Sequence, residues 1–142
     1  MAERGAYTRV ALPLVAGFSA VSFLFLRAPG PRGLLQWLGL LLAMLGLSGV
    51  IIARWTLGRS FSVTPQARQL VTRGIYSKLR NPIYVSGTIF VTGLLVMIQK
   101  PYLWIVLGPI VIVQAVRARK EARLLEAKFG DDYRLYRNRT WF

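Results

Sequence analysis

The chain contains no cysteine and no histidine. These absences exclude disulfide bonds, thiol nucleophiles, imidazole bases and the usual zinc sites, so we expect no bound metal. Acidic residues are also scarce, with five aspartates and glutamates against 19 lysines and arginines. Any chemistry must therefore use those few carboxylates, arginine, lysine, tyrosine and the backbone.

Apolar residues dominate the composition, at 54% of 142 positions. That share is high for a soluble domain of this length. The net charge of +14 suggests nucleic acid, because lysine and arginine neutralise phosphates. The basic residues instead collect at the ends of apolar runs and in one long loop, as they do on the cytoplasmic side of membrane proteins. We interpret the chain as a single integral membrane domain, residues 1–142, that binds membrane lipids and no nucleic acid.

Four apolar runs predict an all-α protein with about four transmembrane helices. The clearest run is Gly33–Ala53, whose 21 residues span about 31 Å as a helix. Trp37 and Trp55 lie near its ends, where indoles favour the interface. The shorter runs are Val10–Leu26, Ile83–Ile98 and Tyr102–Val116. The last two are separated by three residues, which predicts a tight helical hairpin.

The distribution of charge predicts the orientation of these spans. With four spans, the side that holds both termini carries 16 lysines and arginines, and the opposite side carries three. Both termini and the long loop are therefore expected in the cytoplasm of a multi-pass protein. Residues 1–55 would form two N-terminal spans, and residues 56–142 would form the long loop, two further spans and the C-terminal tail.

Glycine and proline positions predict where helices meet, bend or end. Gly39, Gly46 and Gly49 offer a surface of small residues for the close approach of another helix. Gly108-Pro109 is expected to kink the last span, and Gly130 is expected to end the helix that follows it. The tail Ala118–Phe142 is charged and amphipathic, which favours an interfacial helix folded back under the bundle.

A long polar loop, Thr56–Asn81, precedes the third span. Interleaved apolar residues argue that it is ordered. Pro82 suits the first turn of a helix and disfavours helical geometry at Asn81, so Arg80 should lie just before the helix at the membrane surface. Arg80 is then either a positive-inside anchor or a functional residue.

Arg117 and Glu121 lie four residues apart and so share one face of the last helix. They form either an ordinary surface ion pair or part of a site at the membrane end of that helix, where ionisable groups are functional candidates. A small membrane protein without enzymatic activity, whose loop binds anionic lipid headgroups, is an alternative for the whole chain.

Several spaced motifs narrow these alternatives. From Thr56 to the C-terminus the chain resembles the isoprenylcysteine carboxyl methyltransferase family, and it shares much of this pattern with the related phospholipid methyltransferases. The residues that carry the resemblance are Thr56-Leu57-Gly58-Arg59-Ser60-Phe61-Ser62, Leu70-Val71-Thr72-Arg73-Gly74-Ile75-Tyr76, Arg80-Asn81-Pro82-Ile83-Tyr84 with Gly87, and Arg117, Glu121, Leu125, Phe129-Gly130, Tyr133 and Tyr136.

The resemblance implies an integral membrane enzyme without a Rossmann domain that transfers methyl from S-adenosylmethionine and releases S-adenosylhomocysteine. Its acceptor would be lipophilic: an isoprenylcysteine carboxylate first, with a phospholipid amine or a thiol as alternatives. The loop and the C-terminal helix would form the cofactor site. Carried over residue by residue, the catalytic positions are Arg80, Arg117 and Glu121, and the cofactor-binding positions are Tyr76, Asn81, Tyr84, Gly87, Glu121 and Tyr133.

Two positions depart from the family's pattern. The common histidine is Asn81 here, which forms hydrogen bonds but does not titrate near neutral pH. The family commonly carries a pair of glutamates, and the second position is Ala122. We expect Glu121 to bind the cofactor ammonium and Arg80 or Arg117 to bind a carboxylate, with tyrosine faces offered to the sulfonium or the adenine.

Overall fold

The computed structural model describes residues 2–27, 32–57 and 70–141, with side chains from residue 12 onward. Within these ranges the fold is all-helical, as predicted. The α-helices are α1 Ala2–Arg27, α2 Leu34–Leu57, α3 Pro82–Ile98 and α4 Leu107–Arg139, and the 3-10 helices are Gly74–Ser77 and Pro101–Val106. The motif residues 58–62, and the part of the loop up to residue 69 that is predicted to be ordered, lie outside the described residues.

Two helical stretches are long and apolar enough to cross a membrane, Leu34–Leu57 and Pro101–Arg139. Leu12–Arg27 and Pro82–Ile98 are apolar but shorter. Helix α1 begins at Ala2 rather than at the predicted Val10. The described residues thus form an all-helical fold with two candidate membrane-spanning helices, and the arrangement with four spans stays a prediction.

Helices α2 and α3 pack with their backbones in contact. A Cβ built on Gly39 would lie 2.8 Å from the Gly93 carbonyl oxygen, and one built on Gly46 would lie 2.6 Å from the Phe90 Cα. Ala43 is fully buried in the same seam. The predicted surface of small residues is confirmed, since close packing of this kind requires residues without bulky side chains.

Helices α3 and α4 are joined by the short connection that the sequence predicted, yet they do not pack closely along their length. Gln99 ends α3 in the left-handed region at φ 56°, and Pro101 begins the next helical stretch. Helix α3 packs chiefly against α2 and meets α4 at few positions. The hairpin is therefore tight at its turn, and its two arms meet at only a few positions.

Pro109 lies in the first turn of α4, just after the chain changes from 3-10 to α-helix at Leu107, and the predicted kink at Gly108-Pro109 stays a prediction. The non-helical residue is Gly130, at φ 49° and ψ −119°. Gly130 therefore breaks α4, as predicted for a stop position, but helical structure resumes immediately after it. Residues 131–141, which we call the C-terminal strap, return toward the loop before α3.

Candidate active site

The segment between α2 and α3 is built around a short 3-10 helix, Gly74–Ser77. Gly74 adopts φ +61°, and a Cβ there would lie 3.0 Å from the Thr56 Cγ2, so this position favours glycine. The turn buries Tyr76, which is 7% exposed. At the other end, the Asn81 carbonyl oxygen accepts hydrogen bonds from the Tyr84 and Val85 N–H groups. Pro82 opens α3 at the predicted position.

The C-terminal strap is bonded to this segment. The Tyr136 hydroxyl donates to the Tyr76 carbonyl oxygen at 2.8 Å. The Trp141 N–H donates to the Lys78 carbonyl oxygen at 2.7 Å, and the Arg80 N–H donates to the Trp141 carbonyl oxygen at 3.1 Å. These bonds satisfy backbone groups of an irregular segment. They hold the backbone at Tyr76 and Arg80 in one place.

Glu121 is bonded to α3 rather than to its own helix. The Tyr84 hydroxyl donates to the Glu121 Oε1 at 2.7 Å, across 37 positions of sequence. The ion pair considered between Arg117 and Glu121 is not formed, and the ion pairs of this part of α4 instead join Arg134 to Glu126 and to Asp131. The bond joins the first turn of α3 to α4 at the point where α4 becomes strongly charged.

Arg80 has a buried side-chain donor without an acceptor. Its Nε is enclosed, and the described residues provide no hydrogen-bond partner for it. An enclosed donor of this kind costs free energy unless another group satisfies it. Arg80 also lies near Tyr136. Its positive charge favours the ionised phenol and so partly offsets the increase in the pKa of Tyr136 that burial causes. The arrangement suits an anionic group that binds beside Arg80.

The tyrosines of the site are neutral groups in a partly desolvated environment. Burial raises the pKa of Tyr76, and the nearby Glu121 carboxylate and Tyr136 raise it further. Burial raises the pKa of Tyr136 to about 12, with a smaller contribution from the neighbouring Tyr133. These influences place Tyr76, Arg80, Glu121 and Tyr136 in one neighbourhood. Together with Tyr84 they form what we call the polar cluster.

The shifted pKa of Tyr136 predicts how stability depends on alkaline pH. The phenol ionises near pH 10 in the unfolded chain and near pH 12 in the folded protein, so the unfolded chain loses its proton first. Stability should therefore fall between about pH 10 and 12, and Tyr136→Phe should make that fall shallower. Melting temperatures measured from pH 9 to 12 test this. An unchanged slope in Tyr136→Phe would contradict the assignment.

The other predicted site residues lie around this cluster in different ways. Tyr133 is buried, with its ring 6.2 Å from that of Tyr136. Asn81 is half-buried at the start of α3, and its side chain makes no capping hydrogen bond. Gly87 lies one turn beyond Tyr84 and faces Gln114 of α4. Arg117 is exposed, with its charge near Tyr84.

Sequence reasoning did not identify the roles of Trp141, Thr88 and Gln114. The Thr88 hydroxyl lies 2.8 Å from the Gln114 Oε1, between α3 and α4. A signal was present, because Thr88 follows Tyr84 by four residues and Gln114 precedes Glu121 by seven, so each lies on the same helix face as a site residue. Trp141 takes part only through the hydrogen bonds of its backbone N–H and carbonyl groups, so the residue type could not indicate this role in the sequence.

Comparison with known families agrees with this geometry. The profile of the family described as phospholipid methyltransferase matches residues 33–132, which is well over half of the chain. The match begins directly before α2 and ends just after Gly130, so it covers α2, α3 and the part of α4 before the C-terminal strap together with its first two residues. No significant match was found among curated proteins or among solved structures. The chain belongs to the phospholipid methyltransferase family, within the group of membrane methyltransferases that includes the isoprenylcysteine carboxyl methyltransferases.

Proposed function

We propose that the protein transfers a methyl group from S-adenosylmethionine to a lipophilic acceptor where the membrane meets the cytoplasm. Membership of the family makes it a membrane methyltransferase. The cofactor, the acceptor and the residues that hold them are our additions. One observation carries the proposal: the buried Arg80 donor without an acceptor lies in the same cluster as the Tyr84–Glu121 hydrogen bond.

The residues present fit the cofactor. Its amino-acid end carries a carboxylate and an ammonium group, which need an arginine and a carboxylate respectively. The enclosed Arg80 Nε would donate to the carboxylate in a charge-assisted bond. The bond from Tyr84 occupies one oxygen of Glu121, and the other oxygen is left to accept from the ammonium group.

The aromatic side chains would hold the rest of the cofactor. A sulfonium is attracted to the face of an aromatic ring, and Tyr76, Tyr84 and Tyr133 offer such rings near the polar cluster. Asn81 would contribute amide hydrogen bonds in place of the family's histidine. Gly87 leaves space beside the first turns of α3. When bound, the cofactor supplies the electrophilic methyl group.

The work of the chain is to align the acceptor with that methyl group and to exclude water. The loop, the first turn of α3, the charged part of α4 and the C-terminal strap surround the cluster and hold its groups by hydrogen bonds between segments. Neither a covalent intermediate with the protein nor a metal is required for such a displacement. Because residue 122 is alanine rather than the family's second glutamate, Glu121 would act without a neighbouring carboxylate.

The acceptor determines whether a base is needed. A carboxylate, as in isoprenylcysteine, is already nucleophilic and would be held by an arginine; the exposed Arg117 is available near Tyr84. The amine of a phospholipid must first lose a proton, and the base would then be Glu121, a tyrosine or water. The family match is the specific observation that favours the amine.

We also propose that both chain termini and the polar cluster face the cytoplasm of a multi-pass protein. The described part of α4 beyond Val116 is rich in exposed arginine and lysine, which is typical of the cytoplasmic side. The cofactor would then reach the cluster from the water, and the acceptor would reach it from the bilayer.

Methyl transfer by the purified full chain in liposomes tests the proposal. The assay uses S-adenosylmethionine labelled in its methyl group and two acceptors, N-acetyl-S-farnesyl-cysteine and phosphatidylethanolamine. We expect label in one of them, dependent on Arg80 and Glu121. If folded protein binds anionic lipid but neither binds the cofactor nor transfers label, the protein is a lipid-binding scaffold and the proposal is wrong.

A further inference from the structure

A second polar contact joins α3 to α4, further from the charged part of α4 than the Tyr84–Glu121 bond. The Thr88 hydroxyl is 2.8 Å from the Gln114 Oε1 and 3.0 Å from the Tyr84 carbonyl oxygen. Gln114 is the one polar side chain in Leu107–Val116, which is otherwise apolar. It precedes Glu121 by seven residues, or about 10 Å along the helix. The contact therefore lies inside the membrane if α4 spans it.

The donors and acceptors of this contact cannot all be paired with one another. Thr88 has one hydroxyl hydrogen for two acceptors. If that hydrogen goes to Gln114, the amide NH₂ has no acceptor among the described residues. If it goes to the Tyr84 carbonyl, Thr88 accepts from the amide NH₂, and the amide oxygen is left without a donor. In hydrocarbon an unsatisfied amide group costs several kcal/mol in general, so a third polar partner is expected.

The Gln114 amide is open to such a partner. Gln114 is half-exposed, and α3 lacks a side chain at the facing Gly87, where a Cβ would come 3.5 Å from the Gln114 Nε2. The Tyr84–Glu121 bond joins the same two helices nearer the charged part of α4. A lipid lying along the line where α3 and α4 meet would contact both polar pairs at once.

We propose that Gln114, held by Thr88, is a specificity-determining residue that binds a polar group in the membrane-buried part of the acceptor. The proposal rests on the proposed methyl transfer, and it narrows the class of acceptor. An acceptor whose ester carbonyl or hydroxyl lies about 10 Å from the methylated atom satisfies the Gln114 amide. An acceptor with an unbroken hydrocarbon chain leaves the amide unsatisfied and binds less well.

The alternative role for the pair is to join two helices, as polar side chains do in membranes. That role predicts a loss of stability and an equal loss of activity with every acceptor. The specificity role predicts a change in KM that depends on the acceptor's linkage, with kcat retained. The two roles are therefore separated by comparing acceptors rather than by activity alone.

The experiment compares three acceptors with the full chain in mixed micelles: ester-linked phosphatidylethanolamine, its ether-linked counterpart and N-acetyl-S-farnesyl-cysteine. In the unaltered protein we expect a KM about five- to tenfold lower for the ester-linked lipid than for the ether-linked lipid, the effect of one hydrogen bond in an apolar site. Gln114→Leu should abolish that preference, and Thr88→Val should weaken it. Val113→Ala, on the exposed side of α4, should leave it unchanged.

Calorimetric binding of S-adenosylhomocysteine to the same variants keeps the two proposals distinguishable. Binding that is unchanged in Gln114→Leu, together with the lost preference, supports the subsite. Equal KM values for ester and ether lipids, a preference that survives in Gln114→Leu, or transfer to the farnesyl compound alone would overturn it while methyl transfer stands. Cofactor binding without transfer to any of the three would also overturn the subsite. If the unaltered protein neither binds the cofactor nor transfers methyl, the proposed function itself is wrong.

Discussion

Replacing Glu121 with glutamine is expected to weaken the binding of S-adenosylmethionine by at least about 30-fold and to leave the protein folded. Glutamine keeps the size of the side chain and an oxygen for the Tyr84 hydroxyl, but it removes the charge that would pair with the cofactor ammonium. Removing one partner of a desolvated charge pair generally costs about 2–5 kcal/mol, and 2 kcal/mol corresponds to about 30-fold. Calorimetric titration with the melting temperature measured beside it checks both parts of this expectation.

Glu126→Gln is the matched control, because it makes the same chemical change five residues further along α4. Glu126 forms a solvent-exposed ion pair with Arg134 at 3.0 Å, and such pairs contribute little. Cofactor affinity should change less than about twofold in this variant, in line with that small contribution. Equal loss in both variants would show that the net charge of the helix matters rather than the site, and an unaltered affinity in Glu121→Gln would remove Glu121 from the site.

Gly130→Ala is expected to lower both the melting temperature and the affinity for the cofactor. At φ 49° and ψ −119° the backbone of Gly130 lies where residues with a Cβ are strained, although nothing lies within 4 Å of the added methyl. Holding such a conformation costs about 1–3 kcal/mol in general. Relief of the strain would straighten α4 and carry the C-terminal strap away from Tyr76 and Arg80. We therefore expect a lower melting temperature together with weakened cofactor binding.

Gly108→Ala provides the comparison, because an added Cβ there also meets nothing within 4 Å and the backbone is helical. Alanine is the better helix former, but its Cβ is disfavoured in helical geometry directly before Pro109, so this variant should lose little stability and no cofactor affinity. If Gly130→Ala behaves like Gly108→Ala in melting temperature and in cofactor binding, the break in α4 does not position the strap.

Local sequence patterns predicted most of the fold. Runs of apolar residues located the helices, Pro82 marked the start of α3, and the glycines of α2 marked its seam with α3. Sequence patterns were less informative where tertiary context decides. Pro109 can kink a helix or begin one, and it lies just after the change from a 3-10 stretch to α-helix at Leu107. Helix α3 packs against the glycine seam of α2 and meets α4 at few positions, which no property of α4 reveals.

The residues of the candidate site were predictable in a different way. Arg80, Tyr76 and Glu121 were selected by resemblance, and the fold brings them into one cluster. The partner of Glu121 was not predictable, because helix spacing pointed to Arg117, four residues away, whereas the actual donor is Tyr84, 37 positions away. The backbone bonds of Trp141 and the Thr88–Gln114 contact were likewise invisible, since both depend on how distant segments meet.

The most direct test of the central claim is calorimetric titration of S-adenosylmethionine and S-adenosylhomocysteine into the full chain in lipid nanodiscs. The account predicts saturable binding of both at one site, with affinity lost in Glu121→Gln and retained in Glu126→Gln. A folded sample that binds neither compound in nanodiscs or in detergent would contradict the account.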